Sequence, residues 1–143
     1  MGVETDYILA TEKQAKDILK SMNPSKDYNG VYAKGSDPLS LSALVPILSG
    51  IDMEEDCIDQ FVPVAVEADG EVSVVKVPMP IRNALSEFDL NKIEEYVQQW
   101  METEDYMLCM WEAEVAKDFL IQMREMLNGD DANSKELYMW ICV

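Results

Sequence analysis

Two clusters of carboxylates are the residues of this chain with the clearest capacity for chemistry. The first cluster consists of Asp52, Glu54, Glu55, Asp56 and Asp59. Carboxylate oxygens are the ligands that Ca²⁺ and Mg²⁺ prefer, but the spacing lacks the alternating ligands, central glycine and terminal glutamate of an EF-hand loop. We therefore expect a solvated acidic connector here, with a metal-binding site as the alternative.

The second cluster flanks the junction of the last two predicted helices. It consists of Glu102, Glu104, Asp105, Glu112 and Glu114. Paired carboxylates act as general acid and base in glycosidases, but only where a cleft raises the pKa of one of them. The neighbouring sequence indicates no such cleft, and acids near a helix start are stabilised by the helix dipole. A structural role is favoured, and carboxylate-dependent catalysis is the alternative.

The side chains on which most catalysis at neutral pH depends are absent from the sequence. There is no histidine, which is the commonest general base, the usual partner of a Ser or Cys nucleophile and the commonest metal ligand. The glycine-rich motifs of nucleotide-binding proteins and hydrolases are also absent. Cys57, Cys109 and Cys142 are odd in number and lack C-x-x-C spacing, so neither a disulfide framework nor a thiolate zinc site is expected.

Charge gives the strongest indication of what the protein binds. The formal net charge is −17, from 28 acids and 11 bases. Direct nucleic-acid binding is disfavoured, because it depends on Lys and Arg that displace counterions from phosphates. A negative field attracts basic proteins, although it also serves solubility. Stretches 35–75 and 93–116 contain no Lys or Arg, and if they lie close together they form one anionic surface.

The sequence also predicts the cellular location of the protein. No stretch approaches the roughly 18 apolar residues needed to cross a bilayer, and Met1–Asp6 lacks the basic and apolar segments of a secretion signal. We expect a cytoplasmic protein with reduced thiols and no membrane contact.

The strands are predicted from short apolar runs. Asp69-Gly70 is typical of a two-residue hairpin turn, and it joins two valine-rich strands within 61–78. The expected pairs are Val62 with Val77, Val64 with Val75 and Val66 with Ser73. Further strands are expected at Tyr7–Ala10, Val31–Ala33 and Leu137–Val143, the last beside the hairpin or the N-terminal strand.

Capping residues and prolines place the helices. A capping box at Thr11 and Gln14 predicts a helix through about Met22, with Met22 on its inner face. A loop from Ser25 to Gly35 is expected to follow. Asp37-Pro38 begins a helix that Pro46 should kink or split and that Gly50 should end. Further helices are expected from Pro80, from Asp89 with Leu90 buried, and from Leu108 to Leu127 with Val115 buried and Asn128-Gly129 as the cap.

These elements predict an α+β fold and a single domain spanning 1–143. A small, mainly antiparallel sheet, which includes the 61–78 hairpin and a C-terminal strand, should pack against four to five helices. The length suits one core, and the 48% hydrophobic and 27% charged composition is that of a folded protein.

Several segments together resemble a group of small uncharacterised bacterial proteins. They are Asp37-Pro38-Leu39 with Leu41-Ser42-Ala43-Leu44, Trp100-Met101-Glu102-Thr103-Glu104, Trp111-Glu112-Ala113-Glu114-Val115 and Leu137-Tyr138-Met139-Trp140. The resemblance implies a bacterial origin. That group has no assigned activity, so no functional residue is transferred.

The leading interpretation is a non-enzymatic, cytoplasmic interaction domain that binds a basic protein partner, as an immunity protein or inhibitor does. No catalytic residue, metal or cofactor is expected in it. The predicted partner-binding residues are Asp52, Glu54, Glu55, Asp56, Asp59, Glu102, Glu104 and Asp105. The alternatives are a carboxylate-based metal-binding domain or enzyme, and a DNA-mimic inhibitor.

Overall fold

The C-terminal apolar run becomes the central strand of an antiparallel sheet. The computed structural model describes residues 4–36, 38–50, 60–67, 69–103 and 111–143. The strands are β1 (Glu4–Ala10), β2 (Val31–Tyr32), β3 (Val62–Val66), β4 (Val72–Lys76) and β5 (Glu136–Cys142). Their order is β2-β1-β5-β4-β3, so β5 pairs with both the N-terminal strand and the hairpin.

Helices cover both faces of this sheet. They are α1 (Glu12–Ile18), α2 (Pro24–Asp27), α3 (Pro38–Ser42), α4 (Leu44–Ser49), α5 (Met79–Glu87), α6 (Ile93–Met101) and α7 (Ala113–Leu127), with 3₁₀ turns at Leu90–Lys92 and Ala132–Ser134. Tyr7 and Met139 face the larger core, which α3 to α7 complete. Ile8 and Tyr138 face a smaller core with α1. The predicted α+β class is confirmed.

The hairpin of β3 and β4 is present, but its register contains a break. The observed pairs are Val62 with Lys76, Pro63 with Val75, Ala65 with Val74 and Val66 with Ser73. The pair nearest the turn confirms the expected register. The register then shifts by one residue between Pro63 and Ala65, so the pairs expected for Val62 and Val64 were wrong. Pro63 offers no N–H to the ladder, and strand prolines are confined to edges and bulges.

Helix α1 begins at the predicted capping box and ends earlier than predicted. The backbone N–H of Gln14 donates to the Thr11 hydroxyl at 3.3 Å, and the N–H of Thr11 donates to the Gln14 side-chain oxygen at 3.0 Å. The expected extension to Met22 was wrong, and Met22 is 96% exposed. Pro24 disfavours helical backbone in the residue before it and starts α2, where a loop was expected.

The helix predicted after Asp37 is split into α3 and α4 at Ala43. Pro46 explains the break, because it lacks the N–H that would donate to the carbonyl of Ser42, four residues earlier. Gly50 ends α4 with a φ of 74°, a left-handed conformation that glycine adopts without steric cost. The split and the end at Gly50 are confirmed, whereas Asp37 itself lies outside the described residues.

The 3₁₀ turn before α6 changes the expected burial of one leucine. Asp89 caps this turn as predicted, and its carboxylate accepts a hydrogen bond from the N–H of Asn91 at 3.0 Å. Leu90, expected to be buried, is 45% exposed. It belongs to the 3₁₀ turn rather than to α6, so the helical spacing that predicted its burial does not apply to it.

Helix α7 begins later than predicted. Trp111 is not helical, so the helix does not run continuously from Leu108. Val115, expected inside, is 48% exposed. The buried face consists of Ala116, Phe119, Leu120, Met123 and Leu127. The helix ends at Leu127 as predicted, and the side-chain amide of Asn128 donates to the backbone there.

Gly30 precedes β2, where the chain passes close to β1. A Cβ at Gly30 would fall well inside van der Waals contact of the Tyr7 carbonyl oxygen and the Ile8 side chain. We expect Gly30→Ala to lower the free energy of unfolding by about 1–3 kcal/mol, because β1 cannot shift without disturbing the sheet. Urea denaturation measures this. In the control Gly129→Ala, the nearest atom is the Met126 carbonyl oxygen at 3.4 Å, and equal losses would contradict the explanation.

Candidate functional site

Most of the acids predicted to bind a partner fall outside the described residues. These are Asp52, Glu54, Glu55, Asp56, Asp59, Glu104 and Asp105. Glu102 is described, and it is exposed at the C-terminal end of α6, where its carboxylate accepts a hydrogen bond from the Gln98 amide at 3.4 Å. The convergence of the two predicted clusters therefore stays a prediction.

Exposed acids nevertheless collect on α5, α6 and α7 and in the segments that adjoin them. Residues 79–103 and 111–127 hold nine acids and four bases, and all nine acids are exposed. We call these nine the acidic layer: Glu87, Asp89, Glu94, Glu95, Glu102, Glu112, Glu114, Asp118 and Glu125. Because α5 to α7 cover the same face of the sheet, their outward charges belong to one side of the molecule.

Contacts within the protein engage several of the bases in this region. Lys117 pairs with Glu94 at 3.4 Å and so connects α6 with α7. Arg124 donates from Nε to the Phe88 carbonyl oxygen at 3.3 Å, and its guanidinium lies 5.5 Å from the centre of the Phe88 ring. Arg82 donates to two backbone carbonyl oxygens near β5, each at 2.6 Å. These bases hold the layer together, and they remain too few to neutralise it.

The opposite side of the sheet has a different balance. Residues 12–28, which include α1 and α2, hold four lysines and three acids, all of them exposed. The lysines are Lys13, Lys16, Lys20 and Lys26. The segment with α1 and α2 is thus nearly neutral, in contrast to the acidic layer.

Aromatic packing fixes the positions of α6 and α7. The rings of Trp100 and Trp111 meet edge to face with centroids 5.7 Å apart, and Phe119 lies 5.2 Å from Trp111. The indole N–H of Trp100 donates to the Ser40 carbonyl oxygen at 3.0 Å, and that of Trp111 to the Lys34 carbonyl oxygen at 2.7 Å. Such contacts leave the acids of both helices on a rigid support.

A cleft of about 510 Å³ lies between α4 and α5. Its apolar residues are Val45, Leu48, Pro80, Ala84 and Phe88, and its polar residues are Ser49, Asn83 and Glu87. A cleft of this size falls within the range of small-molecule sites, which combine apolar walls with a few polar groups.

Asp6 is a buried carboxylate in β1, only 3% exposed. Its Oδ2 accepts a hydrogen bond from the backbone N–H of Ser25 at 2.7 Å, in the first turn of α2. Burial raises the pKa of Asp6, the bond from Ser25 opposes this rise, and the nearby Glu4 adds to it. Perturbed carboxylates are candidates for function, but the Ser25 bond gives Asp6 the structural role of fixing α2 to the sheet.

Two further properties concern metals and membranes. Within the described ranges, no three or more His, Cys, Asp or Glu side chains are grouped so that they could hold a metal ion. None of the helices in that part of the chain has the length and apolar character to cross a membrane.

Comparison with known proteins adds no relative. No protein-family model, curated protein or solved structure matches the chain. The resemblance to small bacterial proteins stays a prediction.

The cleft is a feature that the sequence analysis missed. Its α5 positions, Pro80, Asn83, Ala84, Glu87 and Phe88, recur at steps of three and four, which is the spacing of one helix face. A signal was therefore present, because this stripe mixes buried apolar residues with exposed polar ones. What the sequence could not show is that α4 leaves a gap beside it.

The raised pKa of Asp6 predicts a pH-dependent effect of Asp6→Asn. An acid with a raised pKa in the folded state contributes stability that is present below its unfolded pKa and lost as pH rises through the folded pKa. The asparagine side chain cannot ionise, so the variant should gain stability relative to the parent protein as the pH rises above 3.8, the ordinary pKa of an aspartate side chain. Denaturation over a series of pH values measures this. The variant Asp17→Asn, altered at an exposed site in α1, corrects for net charge, and a constant or falling difference would contradict the prediction.

Proposed function

We propose that this protein is a non-enzymatic, cytoplasmic interaction domain that binds a basic protein partner through the acidic layer. An immunity protein or an inhibitor would act in this way. The observation that carries the proposal is the contrast in charge between the helices on the two faces of the sheet: residues 79–103 and 111–127 hold nine exposed acids against four bases, whereas residues 12–28, with α1 and α2, hold three acids and four lysines.

The field of such a layer favours encounter with basic surfaces. Clustered charge of one sign steers a partner of opposite charge and raises the association rate, and it repels partners of like charge. The same field disfavours contact with nucleic-acid phosphates. A basic protein is therefore the macromolecule whose charge suits this side best.

The support beneath the acids favours binding without large rearrangement. Trp100, Trp111 and Phe119 pack together, and Lys117 joins α6 to α7 through Glu94. The backbone that carries these acids is already fixed by packing, so it loses little conformational freedom when a partner binds, and this lowers the cost of association. The acids at 52–59, 104 and 105 would extend the surface if they lie beside it.

The proposal predicts that removal of acids from the layer weakens binding more than removal of acids elsewhere. The layer variant changes Glu95, Glu102, Glu114 and Glu125 to Gln. The control variant changes Glu12, Glu67 and Glu71 to Gln and Asp17 to Asn, which are exposed acids outside the layer. Immobilised proteins are exposed to bacterial lysate and retained proteins are quantified by mass spectrometry. We expect a Lys- and Arg-rich partner whose retention falls at least about tenfold in the layer variant alone.

Two further measurements on the same partner vary the salt concentration and add duplex DNA as a competitor. From about 0.01 to about 1 M salt, the Debye length falls from about 30 to about 3 Å, so binding should weaken steeply. Binding that is insensitive to salt, or equal losses in the two variants, would count against the acidic layer. Competition by duplex DNA for the same partner would favour the DNA-mimic alternative.

A further inference from the structure

We infer that the cleft between α4 and α5 binds a small organic cation with an apolar body. This inference does not rest on the proposed function, because it concerns a concave site and a small ligand rather than a protein surface. Four features of the cleft carry it: its dimensions, its apolar floor, its polar groups and the sign of its charge.

The dimensions suit a ligand of about ten to fifteen non-hydrogen atoms. The cleft has a volume of about 510 Å³, and one of its walls extends from Pro80 in α5 to Phe88, the residue that follows this helix. Eight residues of rise at about 1.5 Å each give a wall about 12 Å long. An aromatic ring system with a short side chain fits that length, whereas a folded domain of a partner does not.

The floor of the cleft is continuous with the larger core. Val45, Leu48, Ala84 and Phe88 line it, and all four belong to the buried cluster of that core. Their backbone belongs to packed helices, so the apolar walls exist before any ligand arrives. An apolar body placed on this floor gains roughly 25 cal/mol for each Å² removed from water.

The polar groups define which atoms a ligand would present. The Ser49 hydroxyl donates to the Val45 carbonyl oxygen at 2.5 Å, so its proton is already used inside α4. Asn83 brings an amide to the opposite wall. Glu87 brings a carboxylate, which accepts hydrogen bonds and does not donate them when ionised. The Asn83 amide can donate or accept, so Ser49 and Glu87 decide the preference, and both favour a ligand head that donates hydrogen bonds.

The charge of the cleft selects a cation. Among the described residues that line the cleft, Glu87 carries the charge, and no lysine or arginine in that part of the chain is paired with it. Glu87 is also the last residue of α5, where the helix dipole adds negative partial charge. The carboxylate and the helix end thus act together on a protonated amine.

The test uses the whole protein and naphthylethylamine as the probe. Isothermal titration calorimetry should give saturable binding with a dissociation constant of about 1 mM or tighter, a value consistent with a ligand of this size. Amide resonances of Leu48 and Ala84 should shift in ¹H–¹⁵N spectra. Naphthylpropionate, which replaces the ammonium by a carboxylate, should bind at least about fivefold more weakly. Absence of amine binding, or equal binding of the two compounds, would overturn the inference.

Two variants test whether the probe binds in the cleft. Glu87→Gln should weaken amine binding about two- to fivefold, the range for a solvent-exposed ion pair, and Glu95→Gln on α6 should not. Asn83→Trp, at an exposed rim position, should fill the cleft and weaken binding at least about tenfold. Equal effects of the two glutamine variants would show a general response to net charge, and unchanged binding by Asn83→Trp would locate the probe elsewhere. Either result contradicts the assignment.

Far-ultraviolet circular dichroism verifies that each variant is folded. If Asn83→Trp does not fold, Glu87→Gln alone tests the site.

Discussion

The need to bury both faces of β5 organises the rest of the structure. β5 lies between β1 and β4, and its residues alternate between the two cores, with Met139 in the larger one and Tyr138 in the smaller one. A central strand that is apolar on both faces cannot leave either face in water. Helices must therefore cover the sheet twice: α1 does so on one side and α3 to α7 on the other. This double cover creates the two outer surfaces on which the charges are distributed.

The helices on the two faces of the sheet differ in length and in the charge of their outer surfaces. The short helices α1 and α2 leave a small surface on which acids and lysines nearly balance, whereas the longer helices α5 to α7 present a larger one. Their inner faces carry Trp100, Phe119 and other core residues, so the remaining positions of each turn must point outward. Of the thirteen exposed positions in α5 to α7, six are acids and none is Lys or Arg. Helical periodicity thus places these six acids on the outer surface, and the other three acids of the layer lie in the segments that adjoin the helices.

Sequence patterns predicted the positions of helices and strands better than they predicted which residues of those elements are buried. The capping box at Thr11, the break near Pro46 and the hairpin turn each depend on neighbouring residues, and all three are present. Met22 and Val115 were assigned to buried faces because spacing fits them, but burial depends on where a helix ends and on what packs against it. The cleft was missed for the same reason, since it requires two helices that are distant in sequence. Of the predicted acidic site, Glu102 alone lies within the described residues.

The bulge at Pro63 has a consequence for how copies of this protein behave when they are concentrated. β3 is the last strand in the sheet order, and Val62 and Val66 are exposed there. An exposed valine-rich edge is ordinarily a template on which another chain can add a strand and begin to aggregate. The register shift beside Pro63 makes the edge strand irregular, and a bulge of this kind twists a strand away from a flat edge. The same proline that disturbs the hairpin thereby interrupts fibril-like stacking.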